Sequence, residues 1–452
     1  MIRSHPCSAR LAAAATVPFL AALALVALPL PALAQALTLW AAADSTLARH
    51  PSILAAEARM DGAEATGRAA RAAYLPSVAG SGGLTRYAEP MVVAPLHGFD
   101  PRNPPAFDRT LIQSQLTLEY TLFDGGARGA QVRGADALEE GLALRRDATA
   151  QELLEAVAAA FTGVLAAREM RTAAERQAEA LASELDRANQ RLREGTAARV
   201  EVLRAEAALL DARAQVASAE ARVGLAERSL ARLMGADPSA LAARALEDVA
   251  PRPFAMGPGA GASVVEPRIE AARKSVDATR SRLRQERAGR LPTLRGSAGL
   301  LNFGSSAGDY VTEWQAGVRV SWPLFTGGAR TAAIRRAEAD VRTAEEELRQ
   351  AELAVAASLD GAETALTEAS ARATALEASV VQWEEVARIE ALSLEAGSGV
   401  QQDYLRAEAA LFQARAGYAR ARYDEILALV GRARAQGTLD RGWMDSELEA
   451  RR

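Results

Sequence analysis

Two copies of one short phrase decide the fold: residues 122–128 read LFDGGAR, and residues 324–330 read LFTGGAR. Each copy follows strictly alternating apolar and polar residues, and each opens a long stretch rich in Ala, Arg and Glu. A period of two predicts a β-strand with one apolar and one polar face. The pairs Gly125-Gly126 and Gly327-Gly328 allow a sharp turn, because glycine has no Cβ to forbid unusual dihedrals. The phrase therefore predicts a strand that runs directly into a long helix, twice in one chain.

The strands before the two phrases separate apolar from polar side chains. The apolar positions are Leu116, Leu118, Tyr120 and Leu122 in the first strand, and Trp314, Ala316, Val318, Val320 and Trp322 in the second. Tyrosine and tryptophan rings are favoured near lipid interfaces. The polar positions include Gln115, Glu119, Gln315 and Arg319, which suit a water-filled lumen. A soluble sheet beside a helical bundle would also explain the alternation.

Composition and targeting indicate an exported, helix-rich protein. Aromatic residues make up only 5% of the 452 residues, a composition typical of long, closely packed helices. The formal charge of −4 gives no support for nucleic-acid binding. Two arginines precede an apolar run from Leu11 to Leu30, and Ala32-Leu33-Ala34 fits the small-residue pattern of a cleavage site. We therefore expect residues 1–34 to be a signal peptide, with a retained membrane anchor as the alternative. The single cysteine, Cys7, precedes that run, so the expected mature chain has no disulfide framework.

The second half of the chain repeats the first. Pro51 and Leu75-Pro76 recur as Pro267 and Leu291-Pro292, both at an offset of 216. The phrase LRAEAAL at 203–209 recurs letter for letter at 405–411, an offset of 202. Internal repetition of this kind predicts that the two halves of the chain have the same order of helices and strands.

These landmarks divide the chain into two repeats. We expect a first repeat at 35–235, an irregular junction at 236–262, a second repeat at 263–435 and a C-terminal tail at 436–452. Each repeat opens with a helix. The first then has strands at 75–88 and 110–123 and helices at 126–193 and 198–234. The second has strands at 292–303 and 312–325 and helices at 328–395 and 400–434.

The predicted long helices extend into water. Arg and Glu recur every few residues, and no run after residue 35 offers the roughly 18 consecutive apolar residues of a membrane helix. Gly195 breaks the first long helix, so the helices on either side of it fold back as an antiparallel hairpin. Leu203, Leu210 and Ala217 recur every seven residues, which indicates coiled-coil packing.

Four strands cannot close a barrel, since about eight is the practical minimum. Open strand edges cannot face lipid, because each unsatisfied backbone group there costs several kcal/mol. Copies of the chain must therefore complete the ring together, and three copies would supply twelve strands, an even number typical of such barrels. The helices would continue the barrel as a water-filled cylinder.

With these features the chain resembles the TolC-like family of outer-membrane efflux proteins. The resemblance rests on the duplicated Leu-Pro strand start, the duplicated LF-x-GGAR junction, and the duplicated glycine tip followed by LRAEAAL. It implies a mainly α-helical protein with a membrane β-sheet: a homotrimer with a twelve-stranded barrel in the outer membrane and a helical tunnel in the periplasm. It also implies a periplasmic adaptor (membrane fusion) protein and an inner-membrane pump as partners, in efflux or type I secretion.

The resemblance further implies an acidic constriction just after each tip glycine. Glu201 and Asp403 match it by spacing, but Arg204 and Arg406 stand where the family often has another acidic residue. Either arginine could instead pair with a neighbouring carboxylate, and ordinary solvated positions for Glu201 and Asp403 remain an alternative. Geometry and resemblance together make the tips candidates for adaptor docking. The tip residues are Gly195, Thr196, Gly397 and Ser398.

Two other functional classes are weaker readings of the same residues. Only His50 and His97 survive the expected cleavage, and no nucleophile motif or metal-ligand cluster is present in the sequence, so we expect no enzyme, cofactor or metal site. A periplasmic coiled-coil adaptor or scaffold is the main alternative, but it would need no lipid-facing strands. The sequence does not separate drugs, metals and proteins as cargo.

Overall fold

A computed structural model describes residues 36–97, 101–102, 104–242, 244–252, 266–308 and 310–451. The expected signal peptide at 1–34 lies outside the described residues, as does part of the expected junction. Within the described ranges the chain is mainly helical, and a four-stranded sheet lies at one end of two very long helices.

Each half of the chain contains short helices, strands and one helix of 67 residues. The helices of the first half are α1 (Leu39–Arg49), α2 (Pro51–Ala72), α3 (Ala127–Arg193), α4 (Arg199–Met234) and α5 (Pro238–Ala242). Those of the second half are α6 (Pro267–Ala288), α7 (Ala329–Glu395), α8 (Gln401–Ala435) and α9 (Arg441–Glu447). The strands are β1 (Ser77–Val92), β2 (Phe107–Phe123), β3 (Asp248–Pro251), β4 (Thr293–Ser305), β5 (Tyr310–Ser321) and β6 (Leu448–Arg451).

The large sheet is antiparallel, in the order β1-β2-β4-β5. β2 and β4 are central, so β1 and β5 each have one edge without a partner strand among the described residues. β5 ends at Ser321 and not at 325 as the alternation indicated. Pro323 has no N–H to donate to a sheet, and the Trp322 indole Nε1 donates instead to the Arg290 carbonyl at 3.1 Å.

α3 and α7 have 67 residues each, which corresponds to about 100 Å of helix. Beside the sheet the helices pack in the order α2-α3-α6-α7, and beyond the middle in the order α4-α3-α8-α7. Both long helices therefore run through the whole layer, and shorter helices fill the positions beside them. α4 and α7 form the two free edges of the layer away from the sheet.

The expected packing stripe of α4 is wrong, because Leu203, Leu210 and Ala217 are exposed. The buried stripe also has a seven-residue interval but is displaced by two positions, to Ala205, Ala212 and Ala219, with Leu209 beside it. Small alanines let helices approach closely, so here they take the inner positions and the larger leucines lie on the free edge.

The main hydrophobic core lies in the middle of the long helices. Phe161 of α3, Leu230 of α4 and Ile426 of α8 are fully buried there. The chain ends pack on the same core: Leu37 and Leu39 from the N-terminal side, and Leu439, Met444 and Leu448 from the C-terminal side.

The described part of the expected junction contains α5 and β3, which corrects the expectation that it is irregular, and the C-terminal tail contains α9 and β6. β3 from the junction pairs antiparallel with β6 from the tail. Each strand has only four residues, too few for alternation to reveal, and the pairing joins segments about 200 residues apart in the chain.

One described helix, α3, contains an 18-residue window that is apolar enough, by length and composition, to cross a membrane. The expectation that charges interrupt every helix is therefore too strong for α3. Its apolar residues include Leu154, Val157, Phe161 and Val164, which are buried in the central core. Packing against α1, α4 and α8 accounts for this apolar stretch without a bilayer.

Candidate functional site

The register of the sheet places the four candidate lumen residues on one face. Side chains directly opposite each other across antiparallel strands share a face, and faces alternate along each strand. Gln115 and Glu119 of β2 are opposite Leu301 and Ser297 of β4, and Gln315 and Arg319 of β5 are opposite Gly299 and Arg295 of the same strand. All four candidates therefore share one face, which we call the polar face.

The other face of the sheet is apolar and exposed. Tyr120 and Trp314 lie on it, and Trp314 is 78% exposed. Other large apolar side chains on this face are also exposed, namely Val78, Leu84, Leu116, Leu118, Leu300, Val318 and Val320. A contiguous exposed apolar surface of this kind marks a protein or membrane contact.

The strand-to-helix junctions use left-handed glycines in both repeats. Gly125 and Gly126 have φ of 66° and 87°, and Gly327 and Gly328 have φ of 60° and 86°. These values disfavour any residue with a Cβ. Gly125 is also crowded, since a Cβ there would lie 2.8 Å from Leu291 Cδ1. Gly126 and Gly328 are the N-caps, so each long helix begins one residue later than expected.

The first junction has an additional side-chain cap. Asp124 accepts hydrogen bonds from the Gly126 N–H at 3.0 Å and the Arg128 N–H at 2.9 Å, and its carboxylate pairs with Arg128 Nε at 2.8 Å. Burial alone would raise the pKa of Asp124, but these donors and the Arg128 charge hold it below its usual range. The second junction has Thr326 at the equivalent position, and no side-chain cap forms there.

The two hairpin tips have the same geometry. Gly195 and Gly397 both have φ of 75°. The next residue bonds back to the helix: the Thr196 N–H donates to Arg191 O at 2.9 Å, and the Ser398 N–H donates to Ser393 O at 3.0 Å. This is the Schellman arrangement for ending a helix at a glycine. All four tip residues are exposed, so both tips are free to contact another protein.

The candidate gate residues lie in the first turns of α4 and α8. Glu201 accepts a long hydrogen bond of 3.4 Å from the Ala198 N–H, where it stabilises the N-terminus of α4. Asp403 lies 3.6 Å from Arg406, and both side chains are largely exposed. Arg204 is exposed as well. The structure therefore pairs Arg406 with the Asp403 carboxylate, which is one of the two alternatives that the sequence left open.

Sequence reasoning missed a buried carboxylate near the tips. Glu184 of α3 is fully buried and accepts hydrogen bonds from Arg187 Nε at 3.1 Å and Arg191 Nη2 at 2.8 Å on its own helix. It also accepts one from Gln401 Nε2 of α8 at 2.9 Å. The last bond joins the two helical hairpins of the chain. We call Glu184, Arg187, Arg191 and Gln401 the latch.

A signal for the latch was present in the sequence. The buried positions Gln177, Leu181, Glu184 and Ala188 have the spacing of a coiled-coil seam. A glutamate on such a seam requires partners, because an unpaired buried charge is very costly. The partner, however, lies 217 residues away, so no local pattern identifies Gln401.

Aromatic and acidic groups of α8 pack beside the latch. Arg187 lies over the Tyr404 ring, with 5.9 Å between its guanidinium carbon and the ring centroid. Burial raises the pKa of Tyr404 to about 12, so the phenol stays neutral. Burial likewise raises the pKa of the Glu408 carboxyl above its usual range, although the Arg415 charge opposes the shift. The first turns of α8 thus contain two groups that favour their neutral forms.

No group of three or more His, Cys, Asp or Glu side chains is placed to hold a metal ion in the part of the chain that the structure describes. The candidate functional features described above are the two faces of the sheet, the strand-to-helix junctions, the exposed tips and the latch. These features determine the shape, surface and charge of the sheet and the helical layer, and none of them places a nucleophile beside a base.

Comparison with known proteins identifies this arrangement. The family model described as "Outer membrane efflux protein" matches residues 42–236 and 262–437. The chain is 31% identical over 335 residues to protein CyaE of Bordetella pertussis, covering 72% of this chain and 68% of CyaE. It is 29% identical over 354 residues to the alkaline protease secretion protein AprF of Pseudomonas aeruginosa, covering 75% and 71% of the two chains.

Solved structures share the fold. The outer membrane protein VceC of Vibrio cholerae matches with a TM-score of 0.75 at 19% identity, covering 88% of this chain and 96% of VceC. The CmeC outer membrane channel of Campylobacter jejuni matches with a TM-score of 0.75 at 16% identity, covering 90% and 88%. The resemblance inferred from the repeated motifs is thereby confirmed. The chain belongs to the outer membrane efflux protein family, and it is an outer-membrane channel of the kind that serves efflux or secretion.

Proposed function

We propose that three copies of this chain close one twelve-stranded barrel in the outer membrane and one helical tunnel in the periplasm. The duct exports substrate in partnership with a periplasmic adaptor and an inner-membrane pump. The observation that carries the proposal is the four-stranded sheet, which has an exposed apolar face, a polar face and two unpaired edges. Such a sheet is stable in lipid only if neighbouring copies pair with both edges.

The helical layer supports the same assembly. Its free edges, α4 and α7, carry exposed apolar side chains near the tips: Leu203 and Leu210 on α4, and Val381, Ile389 and Leu392 on α7. In a closed ring, α4 of one copy meets α7 of the next. These two edges then form an apolar contact between copies, and the exposed Leu203 and Leu210 of α4 acquire a partner.

Cysteine cross-linking tests this contact. Leu203 and Ile389 each lie eight residues from a tip glycine, so the proposal places them at similar heights on facing edges. The expected mature chain has no cysteine, so Leu203→Cys with Ile389→Cys introduces the only two thiols. A bismaleimide should yield linked species of up to three chains, while the Leu203→Cys control should not. Products confined to single chains would contradict the arrangement.

The tips are the proposed docking site for the adaptor. Thr196 and Ser398 are exposed on matching turns at the end of the helical layer far from the sheet, where a periplasmic partner can reach them. A photo-crosslinking residue at either position in intact cells should capture the adaptor, whereas the same residue at Leu84 on the apolar face should not. Capture from Leu84 but not from the tips would refute the docking site.

The latch and the acidic first-turn residues are the proposed gate. The Glu184–Gln401 bond holds the two hairpins of a subunit together near the tips, which supports a closed resting state. In the trimer, Glu201 and Asp403 would form carboxylate rings at the narrow end, and Arg406 partly neutralises one of them. Neutralising both, as Glu201→Gln with Asp403→Asn, should reduce cation preference in planar-bilayer recordings. Unchanged ion selectivity would remove these two residues from the gate.

The names of the relatives include both secretion and efflux. AprF is named for alkaline protease secretion, and BepC of Brucella suis, 29% identical over 322 residues, is named as an outer membrane efflux protein. A single duct geometry serves both cargo classes, so we extend both to this chain. A periplasmic adaptor or scaffold, the alternative from sequence, does not account for the exposed apolar face of the sheet. Identifying the transporter that co-purifies with the chain distinguishes the two cargo classes.

A further inference from the structure

The polar face of the sheet has an uneven charge distribution along its length. At the end near the β1–β2 loop, Glu313 lies on this face, and its carboxylate is 2.9 Å from His97 Nε2. The middle rows are occupied by uncharged Gln115, Thr117 and Gln315. Positive charge is concentrated in the row next to the long helices, where β4 begins and β5 ends.

That row contains two arginines directly opposite each other. Arg295 is the third residue of β4 and Arg319 the third from the end of β5, and the register pairs them. Both are exposed, and neither side chain forms a hydrogen bond or an ion pair with another residue in the described ranges. The nearest acidic residue on the face, Glu119, lies in the adjacent row opposite Ser297.

Two unpaired arginines side by side are unfavourable for the sheet itself. Like charges directly opposite each other on neighbouring strands destabilise the pair. A lipid contact does not explain them, since they lie on the face opposite Trp314 and the exposed leucines. A solvated pair of guanidinium groups is instead suited to anions, because each presents a planar fork of donors that matches a carboxylate or phosphate.

We propose that Arg295 and Arg319 form an anion-selecting ring where the barrel joins the helical tunnel. This inference depends on the proposed trimeric duct, which places six guanidinium groups and three Glu119 carboxylates around the lumen. Beside the row is an open cavity of about 620 Å³, where Arg295 lies with the Glu119 and Glu286 carboxylates and the Asp124–Arg128 pair. The substrates this ring favours are organic anions that carry carboxylate or phosphate groups.

Planar-bilayer recording with the full-length protein tests the ring. In a KCl gradient, Arg319→Gln should lower the chloride-to-potassium permeability ratio, and Arg295→Gln with Arg319→Gln should lower it further, by roughly threefold or more. Removing opposed like charges relieves repulsion, so these variants should assemble at least as well as the wild type. The control is Arg86→Gln, which removes one charge per subunit from the opposite face of the same sheet and should leave the ratio unchanged.

A second measurement uses citrate as a tricarboxylate probe. Millimolar citrate should reduce current through the wild-type channel, and at least tenfold more citrate should be needed with Arg295→Gln and Arg319→Gln together. Conducting channels whose permeability ratio and citrate block match the wild type would overturn the ring, as would an equal effect of Arg86→Gln. A wild-type protein that forms neither trimers nor channels would instead overturn the proposed duct, so the two failures are distinguishable.

Discussion

One substitution in the latch tests whether it holds the two hairpins together without a large loss of folding stability. Gln401→Ala removes the buried latch hydrogen bond that crosses between the two hairpins, and it leaves the longer, more exposed ion pair between Arg187 and Glu395, at 3.7 Å, in place. Glu184 still accepts hydrogen bonds from Arg187 and Arg191 on its own helix, so no buried carboxylate is left bare. The variant therefore weakens the connection between the hairpins without the large cost of exposing an unpaired charge in the core.

The size of the effect follows from the nature of this bond. Gln401 is buried, and its amide donates to an ionised acceptor, an interaction with a net contribution of about 1.5–3 kcal/mol. Each 1.4 kcal/mol changes an equilibrium by about tenfold. Losing the bond should therefore shift the balance from joined to parted hairpins by about 10- to 100-fold in each subunit.

Single-channel recording in planar bilayers measures this shift as open probability. Gln401→Ala should open far more often than the wild type. The matched control is Gln402→Ala, which changes the same residue type one position along, where the side chain is exposed. The latch is refuted if Gln401→Ala opens as rarely as the wild type, or if Gln402→Ala opens as often as Gln401→Ala.

Three further predictions concern the sheet, the junction and the pH response. Trp314→Arg should cost roughly 2–4 kcal/mol of barrel stability in lipid, whereas Gln315→Arg on the polar face should cost little, as measured by heat-dissociation of the assembled protein. Asp124→Ala should destabilise the first junction by about 1 kcal/mol, and Thr326→Ala should destabilise the second by less, as measured by hydrogen exchange of the helix that follows each junction. Because the pKa of Asp124 is depressed, its stabilising contribution is present at neutral pH and is lost as pH falls below the ordinary carboxyl range. Since burial raises the pKa of Glu408, the folded state binds its proton more tightly than the unfolded state does. The exchange protection factors of α8 should therefore fall as pH rises above the ordinary carboxyl range, and Glu408→Gln should flatten that dependence.

Local patterns in the sequence predicted the features that depend on a few neighbouring residues. The strand faces follow from alternation, the junctions from Gly125-Gly126 and Gly327-Gly328, and the tips from Gly195 and Gly397. In each case backbone geometry or contact with solvent requires a particular residue type, so the local sequence alone predicts the feature.

The features that the sequence did not show depend on distant partners. Leu203 and Ala205 both belong to seven-residue series on α4, and only packing against α3 shows that the alanine series faces inward. The β3–β6 pair joins four-residue strands from distant segments. Arg295 and Arg319 lie 24 residues apart in the chain, and it is the β4–β5 register that sets them side by side.

The central claim is that one chain supplies only part of a membrane pore and that copies complete it. Native mass spectrometry of the full chain, extracted from outer membranes in detergent, tests this most directly. We predict a single dominant species with the mass of three mature chains. A monomer that stays dispersed in buffer without detergent would contradict the claim.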